Sequence, residues 1–329
     1  MPIAVSGSIA TDHLMQFEGK FADSLVVDQL DKISLSFLVE DLQVRRGGCG
    51  ANIAFGLAAL GHTPILVGSV GQDFDDYRSW LESHGVDCAG IRVSKTRHTA
   101  RFVCTTDESH AQIASFYAGA MSESREIDLG QIHDDVGGFD LVLIGPDDPE
   151  GMLRHTEVCR SRGFAFAADP SQQLAWAGGD VIRPLIDGAT YLFSNEYEAA
   201  LIENKTGWDA DELLERVGTR VVTRGAEGVQ IFRKGEPVIE VQAVPGIIAV
   251  DPTGVGDSFR AGFLAAVEAG TNLERAAQVG CTLAASVVET TGTQEYTLGA
   301  DAFAKRFAVT YGEDAAADAM DKIEIRRTR

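Results

Sequence analysis

Residues 251–259 read DPTGVGDSF, and an apolar-periodic stretch follows at once. Two glycines and a β-branched residue thus stand between two aspartates where a helix must begin. Glycine lets backbone come close to a ligand and reach positive φ, at a cost in folding entropy. Peptide N–H groups pointing out of a helix N-terminus form an anion site. A carboxylate at Asp257 is out of place if the only task is to bind phosphate. It fits if that carboxylate meets a hydroxyl whose attack on the phosphate is being catalysed.

Four other places carry residues of the same kind. Asp12, in GSIATDHLM, falls just beyond the first apolar run, at the strand-end edge where open α/β sheets seat ligands. Alone it reads equally as a turn or cap aspartate. RRGGCGAN at 45–52 sets Gly47 and Gly48 ahead of Asn52, so backbone can approach a small ligand while the amide bonds its hydroxyls. A carboxylate and an amide facing one pocket suit a vicinal diol, although a turn and an N-cap explain the same letters. In SNEYE, Asn195 and Glu198 are three apart and point from one helical turn, a spacing shared with the capping box. In VVTRGAEG, Thr223 and Arg224 can reach phosphates where Gly225 and Gly228 keep the backbone close; the bland alternative is a glycine-rich hairpin turn. No GxxxxGK[ST] occurs, and no GxGxxG follows a strand.

The elements that must position these residues alternate. Apolar strand-like runs at 2–6, 63–71, 139–145, 163–170, 189–195 and 219–223 are separated by helical stretches. This rhythm predicts a doubly wound α/β fold, its mostly parallel sheet covered on both faces. Two stretches break it. Residues 15–46 are polar with a strand-like ISLSFLVEDLQV inside, and 99–118 form a hairpin turning near 107–110. Together they predict a small β lid beside a main domain of 1–14, 47–98 and 119–313, with a peripheral charged tail at 314–329. Period-two alternation places Phe102, Gln112 and Phe116 on one face of the hairpin. Two rings there can sandwich a purine or pack the hairpin onto the main domain; a two-stranded lid has little core of its own to fill.

Composition narrows the partners. The chain has 329 residues with 28 basic against 49 acidic side chains, a net charge of −21. That argues against nucleic acid and anionic membranes, which need a basic footprint. Cysteines 49, 88, 104, 159 and 281 form no CxxC or Cys/His cluster, so neither a disulfide scaffold nor a zinc site is expected. The N-terminus lacks a basic, then apolar, leader, and no run approaches the ~18 apolar residues of a spanning helix. A cytoplasmic protein is expected.

Taken together and in this order, the Gly-Gly…Asn52 pair, Asn195-x-x-Glu198, TRGAEG and DPTGVGD resemble the ribokinase family of small-molecule kinases, from about residue 2 to 295. Pro252 and Val255 depart from the family signature but leave its glycines and final aspartate in place. VSGSIATDHLM, SLSFLV and ADPSQQL are similar to the bacterial adenosine kinase branch. The resemblance implies a ribokinase-like fold, ATP with Mg²⁺, and phosphorylation of adenosine at its 5′-hydroxyl in purine salvage. Another nucleoside, a free sugar such as ribose, or a sensing module without turnover remain as alternatives. It implies Asp257 as general base and Gly254, Val255 and Gly256 as an anion hole. It gives Ser8, Asp12, Ser36, Gly47, Gly48 and Asn52 to the ribose, and Gln172 and Gln173 to the base. Asn195, Glu198 and Thr223–Gly228 fall to the ATP phosphates, Glu198 holding Mg²⁺ through water. It further implies K⁺ at Asp251 and Thr253, and a homodimer through the lid.

Overall fold

The computed structural model describes residues 2–24, 32, 34–326 and 328. Residues 25–31 and 33 of the expected lid segment, and 327 and 329 of the expected tail, lie outside the described residues. In chain order the first strands are β1 (Ile3–Ser6), β2 (Ala10–Phe17), β3 (Leu42–Gly47), β4 (Ile65–Val70), β5 (Ile91–Val93), β6 (Ala100–Asp107) and β7 (Gln112–Tyr117). The remainder are β8 (Leu141–Ile144), β9 (Ala165–Ala168), β10 (Tyr191–Asn195), β11 (Thr219–Thr223), β12 (Val229–Phe232) and β13 (Ile239–Val241). Helices in the first half are α1 (Phe21–Ser24), α2 (Cys49–Ala59), α3 (Asp75–Ser83), α4 (Leu129–Asp135) and α5 (Pro149–Arg162). Then come α6 (Gly179–Ile186), α7 (Glu196–Thr206), α8 (Ala210–Arg216), α9 (Val255–Glu268), α10 (Leu273–Val288), α11 (Ala300–Tyr311) and α12 (Glu313–Met320).

Nine strands make the main sheet in the order β13-β12-β11-β10-β9-β8-β1-β4-β5. All pairings from β11 across to β5 are parallel, and only the β11–β12 and β12–β13 pairings are antiparallel, so β12 alone runs against the rest. The doubly wound fold expected from the sequence is present. Strand order reverses at β1, with β4 on one side and β8 on the other, so a crevice opens beyond their carboxyl ends. Ser8 and the loop at Pro146–Asp147 meet there, Ser8 N donating to Pro146 O at 2.9 Å. One apolar cluster packs α2, α9 and α10 on one face; another packs α5, α6 and α7 on the other.

Four strands, β3-β2-β6-β7, make a separate small sheet. It recruits Ala10–Phe17, so Asp12, placed in the main domain by the sequence reading, stands on a small-sheet strand instead. The strand-like ISLSFLVEDLQV is strand only from Leu42; residues 34–41 are irregular. Phe37 packs there against Phe17 and Phe21 (ring centroids 4.8 and 4.9 Å), while Leu38 beside it is 88% exposed, so one ring anchors the run without an alternating face. The tail is not peripheral. Ala315, Ala316, Ala319 and Ile323 are buried in the main core, because small residues recur at helical spacing beneath the charged face of α12.

Candidate active site

Asp257 lies in the first turn of α9, whose residues Ser258–Ala266 are buried throughout, so the turn is anchored by the core. Gly254 caps the helix at φ 74°, and a Cβ there would come within 2.8 Å of Thr293 Cγ2. The N–H groups of Gly254, Gly256 and Asp257 donate to no partner among the described residues, while that of Val255 turns back to Pro252 O at 3.4 Å. Unpaired first-turn donors and the helix dipole make this end a place for an anion.

Burial pushes the Asp257 carboxyl up to about 6; the Asn52 hydrogen bond and the Arg260 guanidinium oppose that rise. Asn52 Nδ2 donates to Asp257 Oδ2 at 2.8 Å. The Asn52 amide, which the resemblance gives to the ribose, donates in this structure to the aspartate, and its oxygen accepts from Thr293 Oγ1 (2.9 Å) and Gln294 Nε2 (3.0 Å). Beneath the turn, Arg260 and Asp169 form a buried ion pair, Nη2 to Oδ1 at 2.7 Å and Nε to Oδ2 at 2.5 Å. Arg260 Nη1 also donates to Gly256 O at 3.1 Å, tying the pair to the helix start. Cys49 rests against Asp257 and Gln172. Burial and the nearby Asp257 and Asp169 carboxylates push its thiol well up, so it stays protonated.

Gly48 has φ 93°, and a Cβ there would meet Ser8 O at 2.6 Å. This close approach lets Cys49 N donate to Ser8 Oγ at 3.1 Å and brings Ser8, Gly47, Gly48 and Asp12 into one corner. Asp12 is pushed up to about 6 by burial and by Asp251 and Glu295, with Arg45 opposing. It is paired laterally with Arg45 on β3 and Phe102 on β6, and Phe102 faces Phe116 across β7. Thr106 pairs with Gln112, which puts Phe102, Gln112 and Phe116 on one face together with Asp12. Ser36 is not gathered in; it stands exposed on the irregular run. Gln172 reaches Cys49, whereas Gln173 Nε2 is tied to Asp147 O at 2.8 Å.

Asn195 and Glu198 form the full capping box of α7, each side chain accepting from the other's backbone N–H at 2.8 Å. Glu198 still lies within the field of Arg260. Thr223 is the lateral neighbour of Asn195 at the carboxyl end of β11. Arg224 is committed to Glu196 (3.1 Å) and to Glu227 rather than free for a phosphate. Gly225, at φ 55°, has open space around it. Beside this turn is a cavity of about 470 Å³ walled by Val229, Val241, Gln278 and Tyr311 among others. Asp251 accepts from Thr253 N (2.9 Å) and Gly292 N (3.0 Å), and Arg45 approaches it at 3.9 Å.

A model of the pfkB family of carbohydrate kinases matches residues 22–298. The chain belongs to this family. It is 32% identical over 289 residues to a nucleoside kinase of Methanothermobacter thermautotrophicus, covering 87% of this chain and 92% of that protein. The ligand-free nucleoside kinase of Burkholderia thailandensis superposes with a TM-score of 0.84 at 35% identity, over 93% of this chain and 99% of that one. The same enzyme with ADP and inosine gives 0.80 at 35%, over 94% and 96%. The fold is ribokinase-like and the chain is a phosphotransferase of this family.

Sequence reasoning missed Asp169, Arg260, Thr293 and Gln294. Arg260 carried a signal, since a lone cation inside the apolar run SFRAGFLAAV demands a buried partner. The other three had none, because only the fold brings them to α9.

Proposed function

We propose that this family member transfers the terminal phosphoryl group of ATP to the 5′-hydroxyl of a nucleoside, adenosine giving AMP. The observation that carries the reading is a carboxylate held by Asn52 at a helix end where the N–H groups of Gly254, Gly256 and Asp257 lack partners among the described residues. Asp257 takes the hydroxyl proton as the 5′-oxygen bonds to phosphorus, and ADP leaves. Phosphoryl transfer passes through a loose transition state, so positioning and electrostatics supply most of the catalysis. The N–H groups of Gly254 and Gly256 then meet the charge on the transferred group.

The nucleoside would lie with its ribose on Asp12 and its base against Phe102 and Phe116, which form one rank across three strands. Asn195, Glu198, Thr223 and Gly225 border the phosphate path, and the neighbouring cavity would take the adenine of ATP. Among the described residues, no three His, Cys, Asp or Glu side chains gather to cage a metal. Mg²⁺ needs no such cage, since it keeps waters and phosphate oxygens and uses one or two carboxylates; Glu198, within the field of Arg260, is the carboxylate at hand. When bound, Mg²⁺ neutralises charge on the phosphate oxygens. K⁺ at Asp251 and Thr253 belongs to the same reading, and equal rates in K⁺ and Na⁺ would remove it.

Inosine is the second substrate to weigh, since the Burkholderia enzyme is known with ADP and inosine. A coupled assay of ADP release with adenosine, inosine, guanosine, cytidine and ribose tests the reading. Turnover on ribose alone would overturn it, and none with any acceptor would favour a sensing module. The opposite face of the small sheet leaves Leu42, Val44, Ile113 and Tyr117 about half exposed. Two copies would pair through it; a monomeric mass in sedimentation would remove that element.

A further inference from the structure

The amide of Asn52 is held by a chain of hydrogen bonds whose direction is set at its far end. Trp80 Nε1 donates to Gln294 Oε1 at 3.2 Å. An indole N–H can only donate, so the oxygen of Gln294 must face Trp80 and its nitrogen must face the other way. Gln294 Nε2 accordingly donates to Asn52 Oδ1 at 3.0 Å and to Tyr77 Oη at 2.5 Å. With its oxygen thus engaged, Asn52 must present Nδ2 to Asp257. Thr293 cannot settle this alone, because its single hydroxyl proton is shared between Asn52 Oδ1 (2.9 Å) and Arg46 O (3.0 Å). The indole is itself held by the Arg46 guanidinium, 4.1 Å above its ring. Tyr77 completes the link by donating to Gly47 O at 3.0 Å, at the end of β3.

We infer that Gln294 is a positioning residue for phosphoryl transfer: oriented by Trp80, it fixes the Asn52 amide so that Asp257 is presented as an ionised, aimed base. This rests on the reading of Asp257 as base given above. Amide dipoles aligned head to tail in a buried site polarise one another, and the terminal N–H favours the charged carboxylate over the protonated one. The groups facing Asp257 are Asn52 and Cys49 from α2, Asp169 from beyond β9, and Arg260 from its own helix. Of these, the Asn52 amide and the weak Cys49 thiol can reverse their sense by rotating about one bond, and only the amide is a strong donor whose direction is set by a further chain of hydrogen bonds.

Gln294→Glu tests this. A carboxylate at 294 still accepts from Trp80 but cannot donate to Asn52, so the Asn52 amide turns and presents its oxygen to Asp257. That arrangement requires a protonated Asp257. The expected result is a fall in kcat of about 10²-fold, the lower end of what a positioned base contributes. Nucleoside KM should change little, and the acid limb of the kcat–pH profile should move to higher pH. Trp80→Phe keeps an aromatic side chain, smaller than the indole, but removes the donor, and should lower kcat about fivefold, the size of one neutral hydrogen bond, with the same direction of shift in the limb.

Asp257→Asn is measured alongside. If it keeps wild-type turnover, the base assignment itself falls. If it is inactive while folded Gln294→Glu keeps wild-type kcat and pH profile, only the positioning role is overturned. Should Gln294→Glu fail to fold, Trp80→Phe decides: an unchanged kcat and acid limb overturns the inference.

Discussion

The end of α9 and the inner face of the small sheet border one crevice but are built in opposite ways. At α9 Asn52, Tyr77, Asp169, Arg260 and Gln294 are buried, Asp257 and Trp80 half-buried, and the side chains bond one another: Asn52 with Asp257, Arg260 with Asp169, Gln294 with Trp80 and Tyr77. On the sheet, Phe116 is 54% exposed and Phe102 and Asp12 are half-buried. Buried polar networks rigidify a site when fully satisfied, which suits a region that must hold a base still. Exposed rings have surface left to cover, and only a ligand or a closing movement can cover it. The chemistry should therefore answer to changes at α9, and nucleoside affinity to changes on the sheet.

The sharpest way to break this contrast is Asp257→Asn. Turnover should fall by ~10²–10⁴, the usual worth of a positioned base, with the fold and ATP binding retained; a steady-state assay on the purified variant checks it. Next in size is Asp169→Ala, which leaves the Arg260 charge buried without its partner. Loss of about 3–5 kcal/mol in denaturant unfolding is expected. An unchanged midpoint would show that the floor of the site is less closed than its distances imply.

On the sheet, Phe116→Ala should weaken nucleoside binding by about 1–3 kcal/mol, the worth of stacking one base. Apparent KM would rise ~5- to 150-fold while kcat changes less, because stacking acts on ground and transition states alike. An equal loss for ribose and adenosine would mean that the ring is packing rather than platform. The smallest effect is in pH. With Asp257 raised to about 6, acid protonates the base, so kcat should be flat above neutrality and fall about tenfold for each unit below that value. Asp12 lies near the same value, so kcat/KM should fall more steeply than kcat. Parallel limbs would detach Asp12 from the substrate.

Much of this site was legible because its signals are local. Glycines between aspartates at a helix start, the Asn195–Glu198 spacing and the period-two face of Phe102, Gln112 and Phe116 are each properties of fewer than about twenty consecutive residues. Backbone sterics and strand alternation translate such patterns into geometry without reference to the rest of the chain. Two local readings failed where burial decided: residues 34–41 are anchored by Phe37 alone and leave Leu38 in solvent, and α12 has an apolar face beneath its charges. The capping box at Asn195 shows the reverse limit, a local pattern read for phosphate chemistry that the structure satisfies as a helix cap.

The sequence by itself determined the parallel sheet, the glycine-opened helix with its aspartate, and the aromatic face, since these follow from periodicity and from what glycine alone permits. Only the tertiary structure decided what each polar atom bonds. Asn52 and Asp257 are 205 residues apart, and the amide could as well have faced a ribose. It faces the carboxylate because packing of α2 against α9 buries Asn52 beside Asp257, and a buried amide must spend every donor and acceptor on whatever the fold places beside it.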